Sequence, residues 1–453
     1  MMTKHTPFFI SYPAITHPLV NEKPELKLKY ICLIEHYRKK LCPDDTEVLI
    51  RFDRFKADFL ENIAENNYDI KPATKEITKT RFAPFRFFSY RYVFLFDCIY
   101  LLSIDGFNYA TQICDMLKGS VHQRYHKKID YILDKMLSNP SELQGIQMIT
   151  DEMIKSLIDA QTFIRTTEKK VVFTATMSAG KSTLINALIG QELSFTKKAA
   201  CTATVMDFYS SPVYHPKYNV FDKQGEKLNL SAPQVRKISE ERKTPLSVAG
   251  YFNSEVSKYK IRLIDTPGVN SFLNPAHKQI TRDELINNEH DVIVYVIPVE
   301  NYGSEGDFAH LSFIHKNVKY GKIIFAVNMM DSCDFEDDDI EEIISNISSH
   351  LTDIGYTDPI VCPISAKAGL LFKQALSHSK LSPNAITELK TFVRKYEDEA
   401  YDLSPYFSIE TTTNFCDEGF PLDDLDYHEL QELYVRTGLP QFEATIINAI
   451  KEE

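Results

Sequence analysis

The chain has 453 residues, of which 43% are hydrophobic, 12% aromatic and 25% charged, a globular composition with apolar surface enough for more than one core. Its formal net charge is −12 at pH 7. So large an acidic excess excludes a phosphate-neutralising surface, and with it nucleic-acid binding, as the main function. The eight cysteines, Cys32, Cys42, Cys98, Cys114, Cys201, Cys333, Cys362 and Cys416, form no Cys-x-x-Cys pair, which excludes a zinc framework and a disulfide scaffold.

The first stretch, Met1 to Val20, is broken by Pro7, Pro13 and Pro18 and is not a secretory signal. The most apolar segment, Tyr92 to Ile104, is about thirteen residues long and contains Asp97, too short to span a bilayer. A cytoplasmic location is expected. Residues 1–165 read as a helical domain. Val48, Leu49, Phe52, Phe55, Phe59 and Ile63 recur at three- and four-residue steps behind the acidic start Asp44-Asp45-Thr46. Leu143, Ile146, Ile149, Met153, Leu157 and Ala160 repeat that spacing after Pro140, and Phe82 to Tyr109 suggests a buried helical hairpin. Such stripes are core packing, and no function is legible in them.

From residue 166 the pattern changes to α/β. The apolar run Val171-Val172-Phe173 is followed by Ala175-Thr176-Met177-Ser178-Ala179-Gly180-Lys181-Ser182-Thr183 and then by the apolar Leu184 to Gly190, which predicts strand, loop and helix. A loop of this kind points successive backbone N–H groups at a phosphate chain. Lys181 adds an ammonium and Ser182 a hydroxyl suited to Mg²⁺. Ala175 stands where such a loop ordinarily has glycine, which costs about 1 kcal/mol only if the backbone there needs a positive φ.

The segment from Ser210 to Lys260 is longer than a minimal domain of this type needs. Tyr218 to Leu230 predicts a hairpin turning near Gly225, and Ala232 to Arg242 a short helix. This is an insertion, over about 210–260, suited to self-association or a partner. Three further apolar runs then end in polar tips. Ile261 to Ile264 runs into Asp265-Thr266-Pro267-Gly268, Lys322 to Val327 into Asn328-Met329-Met330-Asp331, and Ile360 to Ile364 into Ser365-Ala366-Lys367. The expected sheet is mostly parallel, and tips at the carboxyl ends of parallel strands converge on one crevice. There Asp265 can hold Mg²⁺ through a water, and the Gly268 N–H can sense a γ-phosphate. Asp331 can accept from N1–H and the exocyclic amine of guanine, donors adenine lacks, with Asn328 and the backbone around Ala366 completing the pocket. Met329 replaces the lysine usual at that position, keeping much of the apolar stem and losing the charge. The acidic run Asp334 to Glu342 reads as a solvated helix start.

These motifs resemble the GTPase domain of bacterial dynamin-like proteins over about residues 165–453, and Thr437-Gly438-Leu439-Pro440-Gln441-Phe442, followed by a helical Ala444 to Ile450, is similar to the closing helix of that domain. The resemblance implies a GTPase domain over 166–453 that binds GTP or GDP with Mg²⁺. It also implies that the domain self-associates and is activated when two copies meet. Val269 stands where Ras-like GTPases place the water-orienting glutamine. In the dynamin family the serine matching Ser178 assists, together with a monovalent cation, K⁺ or Na⁺. Lys181 and a threonine before the next strand complete the implied catalytic set. Thr202 and Thr204 are both candidates, with Thr202 favoured as the metal-binding threonine beside Ser182 and Asp265. The chain stops soon after Pro440, so a helical stalk is expected only from residues 1–165 or from a partner dynamin-like protein. Peripheral membrane contact is left open and nothing in the sequence asks for it. Two other readings are kept: a nucleotide-gated binding module with little turnover, and an Era-like regulatory GTPase.

Overall fold

The computed structural model describes residues 10, 12, 14, 16–60, 89–176, 178–194, 204–223, 225–241, 244–269, 275–319, 321–334, 339–377, 379–409, 411, 415 and 425–451. Thr202, Ile63, Phe82–Phe88, Cys201 and Cys416 lie outside them. The chain divides into two compact units, Met1–Thr167 with Ser211–His215, and Glu168–Ser210 with Pro216–Glu453.

The first unit is helical: α1 (Pro24–Leu41), α2 (Thr46–Phe59), α3 (Arg91–Ser103), α4 (Ala110–Lys118), α5 (His126–Ser138) and α6 (Asp151–Arg165). Helix α2 opens where the Asp45 carboxylate accepts the Val48 amide at 3.1 Å, which satisfies an otherwise orphaned donor of the first turn. Helix α3 is buried from Tyr92 to Ser103. At its centre Asp97 is fully buried, and three donors converge on its carboxylate: the Tyr12 and Tyr30 hydroxyls and His17 Nε2 at 2.9 Å. Because His17 Nδ1 accepts the Leu19 amide at 3.1 Å, it is Nε2 that faces Asp97 as donor. In the same unit, His215 joins Arg54 and Asp58 of α2, at 2.6 Å to each.

One helix is shorter than its apolar period suggests. Pro140–Leu143 forms a 3₁₀ turn, and α6 begins only at Asp151, capped by the Thr150 hydroxyl on the Met153 amide at 3.2 Å. Gly145 and Met148 take positive φ, 79° and 67°, so the path between them cannot be helical although its apolar residues still point inward. The described arm of the expected hairpin is the single helix α3.

The second unit is built on a nine-stranded sheet: β1 (Lys169–Ala175), β2 (Met206–Ser211), β3 (Tyr218–Asp222), β4 (Gly225–Leu230), β5 (Leu246–Tyr251), β6 (Ile261–Asp265), β7 (Val292–Pro298), β8 (Lys322–Asn328) and β9 (Ile360–Pro363). Their order is β4-β3-β5-β2-β6-β1-β7-β8-β9, and the run β6-β1-β7-β8-β9 is parallel. The 218–230 hairpin is an edge of this same sheet, with β3 antiparallel to both β4 and β5. Around the sheet stand α7 (Lys181–Ile189), α8 (Ala232–Glu241), α9 (Pro275–Asn287), α10 (Glu305–Asn317), α11 (Ile340–Ile354), α12 (Ala366–Leu376), α13 (Pro383–Tyr396), α14 (Tyr427–Arg436) and α15 (Leu439–Lys451).

Residues alternate between the sheet's two faces. Val171, Phe173 and Ala175 pack into a core with α7, α12, α14 and α15, whereas Val172 belongs to a second core with α10 and α11. Burial on both faces forces the loops that can carry chemistry to the strand ends. Helix α15 starts at Leu439, earlier than the expected Ala444. Gly438 at φ 73° turns the chain into it, and proline is tolerated in a first turn.

Asp97→Ala would leave three buried donors without an acceptor. We expect a loss of about 3 kcal/mol in a urea titration of the full chain. Asp130→Ala, which breaks only an exposed pair with Lys118, is expected to cost under about 1 kcal/mol. Equal costs would contradict the burial argument.

Candidate nucleotide-binding site

The phosphate end is assembled from β1, α7 and β6. Ala175 closes β1 in extended backbone, so no positive φ is asked of it. The left-handed positions are Ser178 at φ 65° and Gly180 at φ 79°. At Gly180 a Cβ would collide with the Asn328 amide and sit 3.2 Å from Met329 Cε, so glycine is required by space as well as by φ. Helix α7 then starts at Lys181 and, among the described residues, no side chain caps its first turn. Its N–H groups are therefore available to an anion.

Lys181 and Asp265 are buried, 8% and 4% exposed, and form an ion pair. Ser182 Oγ donates to Asp265 Oδ2 at 3.0 Å, and Ser194 Oγ to the same oxygen at 2.8 Å. Asn186 in turn shapes the Ser194 loop, its Oδ1 accepting the Leu193 and Ser194 amides at 3.0 and 2.8 Å. Beyond Asp265, Thr266 Oγ1 donates to the Phe173 carbonyl at 2.7 Å, His277 hydrogen-bonds the Gly268 backbone, and Val269 is buried with its amide on the Ala175 carbonyl at 3.1 Å. Thr183 is half-buried in the first turn of α7. The Thr204 hydroxyl is buried and, among the described residues, finds no partner.

The other end is built on β8 and α12. Asn328 Nδ2 donates to the Ala179 carbonyl at 3.1 Å while its Oδ1 accepts the Ala366 amide at 3.0 Å, so one side chain fastens the phosphate loop to the far end of the crevice. Met329 sits at φ 68° and Met330–Ser332 make a 3₁₀ turn. The Asp331 carboxylate accepts the hydroxyl of the buried Ser365, which also caps α12. Lys367 turns elsewhere, pairing with Glu388 at 3.1 Å. Thus Lys181, Ser182 and Asp265 meet at one end and Ala179, Asn328, Asp331, Ser365 and Ala366 at the other, joined through Gly180, while Ala175 and Ser178 belong to the strand end and loop between them. Ser194, Asn186 and Lys395 (which donates to the Asp331 carbonyl at 2.6 Å) join that set without any motif to announce them.

The sheet residues behind the loop are held by α10. Thr176 Oγ1 donates to Asp307 Oδ1 at 2.7 Å, and Thr174 Oγ1 lies 2.9 Å from His310 Nε2. Burial lowers the His310 pKa to about 3.

The family model described as the dynamin family matches residues 171–330, from within β1 to the turn after Asn328. The chain carries a dynamin-type G domain. A protein of Caldicellulosiruptor sp. (strain Rt8B.4), described as uncharacterized in the xynA 3′ region, is 27% identical over 312 residues, 65% of this chain and 74% of that one. Sulfate adenylyltransferase subunit 1 of Aliarcobacter butzleri (strain RM4018) is 31% identical over 120 residues, 26% of this chain and about a quarter (24%) of that protein. Among solved structures, an oligomerised bacterial dynamin pair is 15% identical with a TM-score of 0.36, covering 82% of this chain and 66% of that one. The FeoB G-domain of Methanococcus jannaschii is 18% identical with a TM-score of 0.25, covering 44% and 87%. Overlaps this shallow have no bearing on function. No described helix is long and apolar enough to cross a membrane.

His310 stays neutral in the folded G domain while an unfolded histidine takes a proton below about pH 6.5. Between there and about pH 3 the unfolded chain binds more protons, so stability falls on acidification by up to about 1.4 kcal/mol per pH unit. Between pH 6.5 and 5 the native chain should lose about 2 kcal/mol more than His310→Gln, measured by urea unfolding at each pH. Parallel pH profiles would contradict this.

Proposed function

We propose that the protein hydrolyses GTP to GDP and phosphate, slowly as a single copy and faster when two GTPase domains meet. The observation that carries this reading is the buried set Lys181, Ser182 and Asp265 at the mouth of the uncapped helix α7. In the proposed complex the phosphates lie on the Ser178 to Thr183 amides and Lys181 leaves Asp265 for the phosphate oxygens. The purine lies between Met329, Asp331, Asn328 and the Ser365 to Lys367 backbone, with guanine chosen by the Asp331 carboxylate.

Mg²⁺ fits the donors present. Both are hard oxygens, the Ser182 hydroxyl suited to hold the ion directly and the Asp265 carboxylate, 3.0 Å from it, suited to hold it through a water. Ser182 and Asp265 would hold the ion, with Thr202, which lies outside the described residues, as the third ligand and Thr204 as its alternative. Bound there, the ion neutralises charge on the β- and γ-phosphate oxygens. The chain's own part is to bind, orient and keep the triphosphate dry, with the Gly268 N–H at the γ-phosphate.

What a single copy lacks supports the dependence on self-association. Val269 is buried and apolar where a water-orienting amide would be needed. Ser178, at φ 65° in the phosphate loop, would assist instead, and a K⁺ or Na⁺ ion in a face-to-face pair would supply the missing charge. Charge supplied in trans is worth about 10³–10⁵ in rate in such enzymes. The helical domain, residues 1–165, carries the resulting closure outward to a second dynamin-like protein or to another copy.

Phosphate release per molecule should climb with protein concentration and differ between K⁺ and Na⁺. Lys181→Ala should weaken GTP binding by about tenfold to a hundredfold, the value of a charge-assisted contact. A rate that is near zero and flat with concentration would contradict hydrolysis and leave a nucleotide-gated binding module.

A further inference from the structure

Helix α13 follows the last parallel strand by some twenty residues and carries no recognised motif, yet its last turn reaches the base end of the crevice. Lys395 Nζ donates to the main-chain carbonyl of Asp331 at 2.6 Å. The same ammonium lies 4.5 Å from the centroid of the Tyr401 ring, and the Tyr401 hydroxyl donates to the Cys333 carbonyl at 3.2 Å. The Met330–Ser332 turn is thus gripped on its outer side by a cation and a phenol, while Ser365 holds the Asp331 carboxylate on its inner side. Lys395 is half-buried and, among the described residues, makes no ion pair. The ammonium is faced by two groups that favour a cation, a carbonyl and an aromatic ring.

The sequence between Asn328 and Asp331 has no charge-bearing residue before the aspartate, and Met329 supplies only an apolar arm, its Cε close against Gly180. The two halves of a lysine, stem and ammonium, therefore come from separate places: the stem from Met329 and the ammonium from Lys395. We propose that Lys395 is a positioning residue for guanine, which fixes the Met330–Ser332 turn so that the Asp331 carboxylate faces the base and supplies the positive charge absent from the strand tip. This rests on the guanine reading of Asp331 given above. A plainer role is a cation at the negative end of α13. Arg394 is a control for it, since it lies in the same last turn, is exposed and does not reach the crevice.

Affinity of the full chain for GDP and for IDP, with Mg²⁺ present, separates these roles. IDP lacks the exocyclic amine that a well-placed Asp331 accepts. Lys395→Met should weaken GDP by about tenfold and narrow the GDP-to-IDP ratio, with the melting temperature without nucleotide unchanged. Lys395→Arg should recover part of the loss, Met329→Lys in the Lys395→Met background should recover most of it, and Arg394→Met should change nothing. If the native chain binds GDP and Lys395→Met matches it, or if Arg394→Met costs as much, the assignment of Lys395 is wrong while the site stands. If the native chain takes neither nucleotide, the guanine reading falls and this assignment with it. Should Lys395→Met melt early, the Lys395→Arg and Met329→Lys chains decide by the same GDP-to-IDP ratio.

Discussion

The contact on which the second unit's chemistry depends is the buried pairing of the Lys181 ammonium with the Asp265 carboxylate. Taking two such charges out of water costs several kcal/mol per ion unless each is fully engaged. Asp265 is engaged three times over, by Lys181, Ser182 and Ser194. The arrangement is therefore stable while no phosphate is present. On the proposed reading it is also convertible, because an anion at α7 offers the ammonium a second partner while the carboxylate keeps its hydroxyls.

That pairing is possible only because of the sheet around it. Strands β1 and β6 are parallel neighbours, so Ala175 and Asp265 end on the same side, and the loop that leaves β1 must pass over the carboxylate before α7 begins. Burial of both faces leaves the strand ends as the open edges. Asn328 then makes the two ends of the crevice one object, since its amide spans Ala179 and Ala366. Two of the strained positions lie in the same place: Ser178 and Met329 hold left-handed backbone, at a cost of about 1 kcal/mol or more each that the surrounding contacts must offset.

The parts of this that could be read from residues alone were those with local causes. Gly180-Lys181-Ser182 sits between a short unbroken apolar run and a helix-length apolar stretch, and the tips at Asp265, Asn328 and Ser365 each close an apolar run. Asp45 capping α2 is equally local. What escaped has tertiary causes. Ser194 and Asn186 look like ordinary loop and helix residues until the fold places them beside Asp265, and Lys395 looks like a solvated helix end until Asp331 is beneath it. The stripe from Leu143 to Ala160 has helical spacing yet is broken by positive φ at Gly145 and Met148, because inward-facing residues can be supplied by a compact turn as well as by a helix. Asp97 interrupts the most apolar helix, and its three partners lie 67 to 85 residues away in sequence, beyond the reach of any local pattern.

The most direct measurement is calorimetric titration of the full chain with a non-hydrolysable guanine nucleotide and with its adenine counterpart, both with Mg²⁺. The account predicts one site for guanine, with adenine weaker by about a hundredfold or more, since two charge-assisted bonds at Asp331 would be lost. No uptake of the guanine nucleotide, or equal uptake of adenine, would contradict it.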